Sequence, residues 1–265
     1  MTKLSNKVIW ITGASSGIGE ALAQCAAVRG AKLVLSSRRT SELERVRSAL
    51  PRPQDVAILP ADLSRLDDAD ALAAQASSFF GPIDVLANNA GISQRTTTLD
   101  TGLAAYRQIM EVDFFAPIAL TKALLPGWVA RGRGHVIVVS SVFGHIAMAR
   151  RTGYAAAKHA LHGWYDSARI ELEPQGVRFT LACPGFVRTN VSVNALGPGG
   201  QPYGKSDGDI DGGMDPGVCA EKIWRAVEAE RMEVLVAGKE RIAVYFKRFL
   251  PLSWYTAFAR RLKVH

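Results

Sequence analysis

Cysteine is scarce in this 265-residue chain. Cys25, Cys183 and Cys219 are an odd number and lie far apart. They define no disulfide framework. Each falls in an apolar helical or strand pattern, as expected of buried free thiols in a reducing compartment. Metal-ligand spacing is missing too: His159 and His162 sit one helical turn apart with no third ligand evident beside them, so no metal is expected. No apolar run reaches the roughly 20 residues that a membrane-spanning helix needs. The stretch Met1 to Lys7 lacks signal-peptide architecture, so a cytoplasmic protein is expected. Acidic residues are thin at the other end. From Lys239 onward seven Lys/Arg face the single acid Glu240, which accounts for most of the net charge of +8. The remainder is nearly balanced, which argues against a nucleic-acid binder and for one local basic surface.

What the chain does have is a regular alternation of short apolar runs and helical patterns. Val8-Ile9-Trp10-Ile11 reads as a buried strand. Thr12-Gly13-Ala14-Ser15-Ser16-Gly17-Ile18-Gly19 follows, then an alanine-rich helix to about Arg29. Strand, glycine-rich turn and helix together make a phosphate cradle. The glycines let backbone approach a pyrophosphate, and the helix N-terminus offers N–H groups and the positive end of its dipole. A second strand, Lys32 to Ser36, runs into Ser37-Arg38-Arg39. An acid here would hold a ribose 2′-hydroxyl, and a basic group would accommodate a 2′-phosphate. Arg38 and Arg39 therefore favour NADP over NAD; the plainer alternative is two solvated arginines opening the next helix.

A helix over Ser41 to Leu50 and a strand over Val56 to Leu59 lead to Asp62-Leu63. Asp62 is placed to accept from an adenine amino group, to cap a helix predicted over Arg65 to Phe80, or both. A fourth strand, Ile83 to Ala87, runs into Asn88-Asn89-Ala90-Gly91. Helical pattern resumes near Gly102, and a long helix over Met110 to Ala130 is expected to break or kink near Pro117. Strands at His135 to Ser140, Val177 to Cys183 and Glu233 to Ala237 complete a set of seven. Between them lie helices at Gly153 to Leu172 and from Asp215, as N-cap, with Pro216 to about Glu230. The glycine-rich stretch Asn190 to Gly213 reads as a structureless lid or disordered segment. The pattern predicts one α/β domain over residues 1–240, a parallel sheet with helices on both faces, and ligands at the strands' C-terminal ends.

One helix carries the chemistry. Tyr154 and Lys158 are four apart, hence on one helical face. An ammonium desolvated beside a phenol favours the phenolate, which suits the pair to general acid–base work. Thirteen positions before Tyr154, Ser141 ends an apolar strand, where its hydroxyl can hold a substrate oxygen.

Taken together these motifs resemble the short, single-domain branch of the short-chain dehydrogenase/reductase superfamily over roughly residues 7–240. The resemblance rests on Thr12 to Gly19, Asp62-Leu63, Asn88 to Gly91, Ser141, Tyr154-x-x-x-Lys158, and Pro184-Gly185 through Thr189, in family order. It implies a Rossmann-like doubly wound sheet and a homodimer or homotetramer. Tyr154 would exchange the proton with a carbonyl or alcohol oxygen, Lys158 would tune it and bind the nicotinamide ribose, and Ser141 would orient the substrate. Gly13, Ser15, Ser16, Gly17, Ile18 and Gly19 would hold the pyrophosphate side of NADP(H). Asn89, Ala90 and Gly91 would line its ribose, and Pro184, Gly185, Val187 and Thr189 its nicotinamide end. Phe143 and Phe186 would face substrate. Asp113 departs from the pattern: the family has asparagine there, tying a water to the lysine. An aspartate would offset part of the lysine's field on the tyrosine and shift the pH optimum.

The tail, 241–265, interleaves basic residues with Tyr245, Phe246, Phe249, Trp254, Tyr255 and Phe258. Two readings stand. It forms an interfacial helical pair on an anionic membrane, at the inner face, or it docks on its own domain or on a partner subunit. Its style resembles that of membrane-associated steroid- and retinoid-type reductases of the superfamily, which points to a lipophilic carbonyl substrate.

Overall fold

A computed structural model describes residues 3–206 and 208–261. In chain order the elements are β1 (Val8–Thr12), α1 (Gly17–Val28), β2 (Lys32–Ser36), α2 (Thr40–Ser48), β3 (Val56–Ile58), α3 (Ala69–Phe80), β4 (Val85–Asn88), α4 (Leu103–Met110), α5 (Ala116–Ala130), β5 (Gly134–Val139) and α6 (Thr152–Leu172). They continue with β6 (Val177–Pro184), α7 (Gly208–Asp211), α8 (Pro216–Glu228), β7 (Glu233–Val236), α9 (Arg241–Phe249) and α10 (Leu252–Arg261). The seven strands form one parallel sheet in the order β3-β2-β1-β4-β5-β6-β7. The order reverses between β1 and β4, and a crevice opens there beyond the carboxyl ends of the strands.

Both faces of the sheet are covered, and the strands alternate between two cores. Ile9 and Ile11 point to one core, with Leu22 of α1, Leu43 of α2 and Trp224 of α8. Val8 and Trp10 point to the other, with Ala73 of α3, Leu120 of α5 and Tyr165 of α6. Burying tryptophan requires a partner for its N–H. Each fully buried one has it: Trp10 donates to Ser36 Oγ at 2.8 Å, Trp128 to Ile83 O at 2.7 Å, and Trp224 to Leu22 O at 3.0 Å.

Four local expectations change. The helix predicted from Arg65 begins at Ala69, because Asp68 accepts from Ala71 N at 2.8 Å and caps it. Asp62 instead caps a separate 3₁₀ turn, Leu63–Arg65, by accepting from Ser64 N at 3.0 Å. The break expected near Pro117 is a single π-helical turn, Glu111–Phe115, just before it. Pro117 has no N–H to return to the Asp113 carbonyl, and the backbone widens so that Ala116 N–H bonds Glu111 O. The stretch Asn190 to Gly213 is not structureless. It carries a 3₁₀ turn, Pro198–Gly200, and α7, and it is stitched to the loop after β4 by Arg95 N→Leu196 O and Leu196 N→Ser93 O, both 2.8 Å. Those partners lie a hundred residues away, beyond the reach of any local pattern. Cys183 and Cys219 are buried free thiols as expected, while Cys25 is only half-buried.

The tail docks on its own domain. Val244 of α9 and Tyr255 of α10 pack with Val142, Phe143 and Ile146, beside the active-site loop. Tyr255 OH donates to Ala147 O at 2.6 Å and accepts from Ala147 N at 3.2 Å. The outer face keeps Phe249, Leu252 and Trp254 exposed. Leu262, Lys263, Val264 and His265, part of the tail as read from sequence, lie outside the described residues.

Candidate active site

A cleft of about 520 Å³ runs along the carboxyl ends of the strands, from Arg38, Arg39 and Asp62 at one end to Ser141, Tyr154 and Lys158 at the other. Its volume and elongation suit a ligand of dinucleotide size. At its centre the β1–α1 turn brings Gly13 into the left-handed region, φ +65°, which glycine adopts without steric cost. Ser16 stands at the N-cap of α1 but makes no side-chain cap bond. The first N–H groups of α1 are therefore left for a ligand, as a pyrophosphate requires. Ser15, Gly17 and Ile18 line the cleft here; Gly19 does not. It lies behind the turn, where a β-carbon would fall on the Gly13 carbonyl oxygen. Its role is close helix–turn packing.

The ends of β1 and β4 are tied together. Asn89 Nδ2 donates to Thr12 O at 3.0 Å and Gly13 O at 3.2 Å, while Thr12 Oγ1 accepts from Asn89 N and Ala90 N, both 3.1 Å. Asn89 thus holds the glycine turn with its side chain, and Ala90 and Gly91 form the cleft wall. At the distal end Arg39 donates to Ser15 Oγ at 3.4 Å. Hydrogen bonds from Ser64 hold the Asp62 carboxyl below its ordinary range despite partial burial, with Arg38 and Arg65 adding to the effect.

At the proximal end Ser141 is buried; its Oγ accepts from Phe143 N at 3.2 Å and donates to Pro184 O at 3.4 Å. Lys158 Nζ lies 5.4 Å from the centre of the Tyr154 ring and donates to Val139 O at 3.2 Å. The helix spacing has therefore placed amine and phenol together, beside a dinucleotide-sized crevice. Phe143 meets the Tyr154 ring edge-on, 5.9 Å between centroids. Phe143, Phe186, Pro184, Gly185, Val187 and Thr189 all line this end.

Asp113 lies behind the cleft wall, fully buried, and contacts Lys158 directly. Its Oδ2 sits 3.2 Å from Nζ, in ion-pair contact without a well-directed hydrogen bond, and its Oδ1 accepts from Ile92 N at 2.7 Å. The π-helical turn presents this side chain inward, a common use of such turns. Both groups titrate above their ordinary values. Burial pushes the Asp113 carboxyl up, against the pull of Lys158 and Ile92 N–H. Burial also works against the Lys158 ammonium, but the Asp113 carboxylate outweighs it and raises the lysine. The raised lysine stays a cation at neutral pH, with Asp113 the acid that faces it inside the fold.

Three residues here escaped sequence reasoning. Gln94, buried after β4, accepts through Oε1 from Gly153 N at 2.6 Å and Tyr154 N at 3.3 Å. It caps the N-terminus of α6 and so sets the height of Tyr154. Arg95 and Arg151 are buried and line the substrate end of the cleft. Arg151 stacks over Phe143, Cζ 5.7 Å from the ring centre. Nothing in their local sequence marks them; each depends on the meeting of the β4 loop with the start of α6.

Comparison with known proteins agrees with this geometry. The family model for short chain dehydrogenase matches residues 7–196. Among curated proteins, the chain is 40% identical over 259 residues to a dehydrogenase/reductase SDR family protein 7-like of Anopheles gambiae, covering 95% of this chain and 81% of that one. It is 37% identical over 271 residues to dehydrogenase/reductase SDR family member 7B of Xenopus tropicalis, covering 98% and 87%. Among solved structures, a short-chain dehydrogenase from Streptomyces avermitilis superposes with a TM-score of 0.83 at 29% identity, covering 99% of this chain and all of that one. A short chain dehydrogenase/reductase from Burkholderia phymatum, solved in complex with NAD, shares the fold, with a TM-score of 0.84 at 24% identity over 94% and 95%. A glycine turn, an Asn89 clasp and a Ser141, Tyr154 and Lys158 cluster around one crevice, carried on a chain that matches these proteins over its length, make this protein an oxidoreductase of the short-chain dehydrogenase family.

Proposed function

We propose that the protein is an NADP(H)-dependent oxidoreductase that interconverts a ketone or aldehyde and its alcohol. The observation that carries the reading is the seating of Lys158 against Tyr154, with Ser141, at the end of a crevice whose other end is closed by Arg38 and Arg39. Two arginines and no acid after β2 favour a 2′-phosphate over a 2′-hydroxyl. The NAD-bound Burkholderia phymatum neighbour speaks only for a nicotinamide cofactor in general.

The nicotinamide, when bound, supplies or takes the hydride. The chain does the rest. Ser141 Oγ donates to the substrate oxygen and holds it near Tyr154. Tyr154 OH gives a proton to that oxygen in reduction and takes it in oxidation. Lys158 stabilises the phenolate left behind and would hold the nicotinamide ribose. Phe143 and Phe186 exclude water from the reacting carbonyl. These side chains, with the exposed aromatics of the tail nearby, support a lipophilic substrate.

NADPH oxidation with a panel of hydrophobic ketones and aldehydes tests the reading. Wild type should turn over at least one of them. Tyr154→Phe should lose roughly a thousandfold in rate, as expected when a general acid is removed, while still binding NADPH. An inactive wild type that binds the cofactor would point instead to a scaffold or redox sensor of the same fold.

A second reading concerns the tail. Phe249, Leu252 and Trp254 are exposed on a tail that also carries Arg248, Arg260 and Arg261, a composition that supports seating on an anionic membrane surface. Among the described residues no helix is long and apolar enough to cross a membrane. Deleting the tail would uncover Phe143, so the cleaner test is Phe249→Ser with Trp254→Ser in sedimentation with anionic vesicles. The double variant should stay in the supernatant while wild type pellets.

A further inference from the structure

Four side chains from four separate stretches converge below the Ser141 loop. His145 follows that loop, His162 lies on α6, Cys183 near the end of β6, and Glu233 opens β7. One donor atom from each falls within 4.8 Å of the other three. His145 Nε2 is 3.4 Å and His162 Nδ1 3.7 Å from Glu233 Oε2, and Cys183 Sγ is 3.7 Å from His162 Nε2. The two imidazoles meet edge to face, 4.5 Å between centroids. A β-carbon on Gly144 would collide with the His162 ring, so only glycine admits it. Among the described residues, the buried His145 Nε2 makes no hydrogen bond beyond its 3.4 Å approach to Glu233.

We propose that His145, His162, Cys183 and Glu233 form a binding site for Zn²⁺. Tetrahedral zinc with bonds of about 2.0–2.3 Å separates its donors by about 3.3–3.8 Å. With Nδ1 as the His162 donor, the contacts of both imidazoles with Glu233 already lie at that spacing. Closing the widest gap takes about 1 Å, within reach of side-chain rotation. Two imidazoles, a thiolate and one carboxylate select zinc over magnesium or calcium, which take oxygen donors. Binding releases the Cys183 thiol proton to solvent and changes no oxidation state.

All four positions are protein side chains, so the site is structural. It would bolt edge strand β7 to β6, α6 and the Ser141 loop. The link to the active site is short. Ser140 Oγ lies 3.0 Å from His162 Nε2 and orients that ring. Cys183 precedes Pro184, whose carbonyl accepts from Ser141. Glu233 is 45% exposed in its side chain, giving the ion access from solvent. The proposal does not depend on which substrate or cofactor the cleft takes.

The test is metal stoichiometry and spectroscopy on the full chain. Protein stripped with a chelator and reloaded with Zn²⁺ should hold one zinc per chain by mass spectrometry of the metal, and its melting temperature should rise. Cobalt in place of zinc should give a thiolate-to-metal charge-transfer band that Cys183→Ser abolishes. Should Cys183→Ser fail to fold, Glu233→Gln on the open side and His145→Ala serve; each should weaken zinc binding roughly tenfold or more. A wild type that retains no zinc and shows no cobalt band would overturn the proposal, as would variants that bind zinc like wild type.

Discussion

The Asp113 carboxylate lies 3.2 Å from the Lys158 ammonium, and neither side chain reaches solvent appreciably. Breaking such a buried pair by removing one charge leaves the other uncompensated. Asp113→Asn keeps the shape and removes only the charge. The lysine's field on the tyrosine then goes unopposed, favouring the phenolate. The pH–rate profile of alcohol oxidation should move toward lower pH in the variant. An unmoved profile would mean that the carboxylate has no part in tuning the site.

Among the described residues neither Arg38 nor Arg39 forms an ion pair at the distal end of the cleft; Arg38 acts on Asp62 only at longer range. Losing a charge-assisted contact to a 2′-phosphate should raise the KM for NADPH roughly tenfold or more in Arg39→Ala, and further in the double alanine variant. The KM for NADH should hardly change. Equal effects on both cofactors would show that these arginines serve the surface and not the phosphate.

Gly19→Ala sets two effects against each other. Alanine in a helix gains roughly 0.5–1 kcal/mol over glycine. Its β-carbon, however, would fall on the Gly13 carbonyl oxygen and the Asn89 carboxamide, and overpacking of this kind costs about 1–3 kcal/mol. The clash should win. Thermal unfolding should move down, and NADPH affinity should fall as the turn shifts. A variant as stable and as tight as wild type would show that the turn yields easily.

His135 gives the fold an acid limit. Burial lowers its pKa to about 4, from an ordinary value near 6.5. Its Nε2 lies 2.9 Å from Thr180 Oγ1, which itself donates to Arg231 O, so Nε2 carries the proton of the neutral ring. The unfolded chain binds a proton between these pH values and the folded chain does not. The stabilisation is therefore complete above about pH 6.5 and is lost as pH falls toward 4, with a magnitude on the order of 3 kcal/mol. The urea midpoint should fall more steeply over that window in wild type than in His135→Gln; parallel slopes would assign the acid limit to other groups.

How much of this was legible in the sequence follows from the range of the forces involved. Strand, turn and helix signals act over a few residues, so the seven strands, the glycine turn and the Tyr154–Lys158 spacing could be read directly. Asn89, Ser141 and the arginines after β2 fell at strand ends, where a parallel sheet puts its ligands. Ends of elements were less certain: α3 began four residues late because Asp68, not Asp62, supplied its cap. Pro117 announced a break, but not that the break would be a π-helical turn delivering Asp113 to Lys158.

The linear chain by itself determined the alternation that makes a parallel sheet and the local geometry that makes a phosphate cradle, because both arise from backbone preference and short-range periodicity. Only the tertiary structure decided which distant side chains would meet. Gln94 capping α6, the stitching of Leu196 to Ser93 and Arg95, the tail laid against Phe143, and the gathering of His145 and His162 with Cys183 and Glu233 all join residues from separate stretches of the chain. Such contacts form because closing the two cores fixes where every loop must run, and no local pattern encodes that closure.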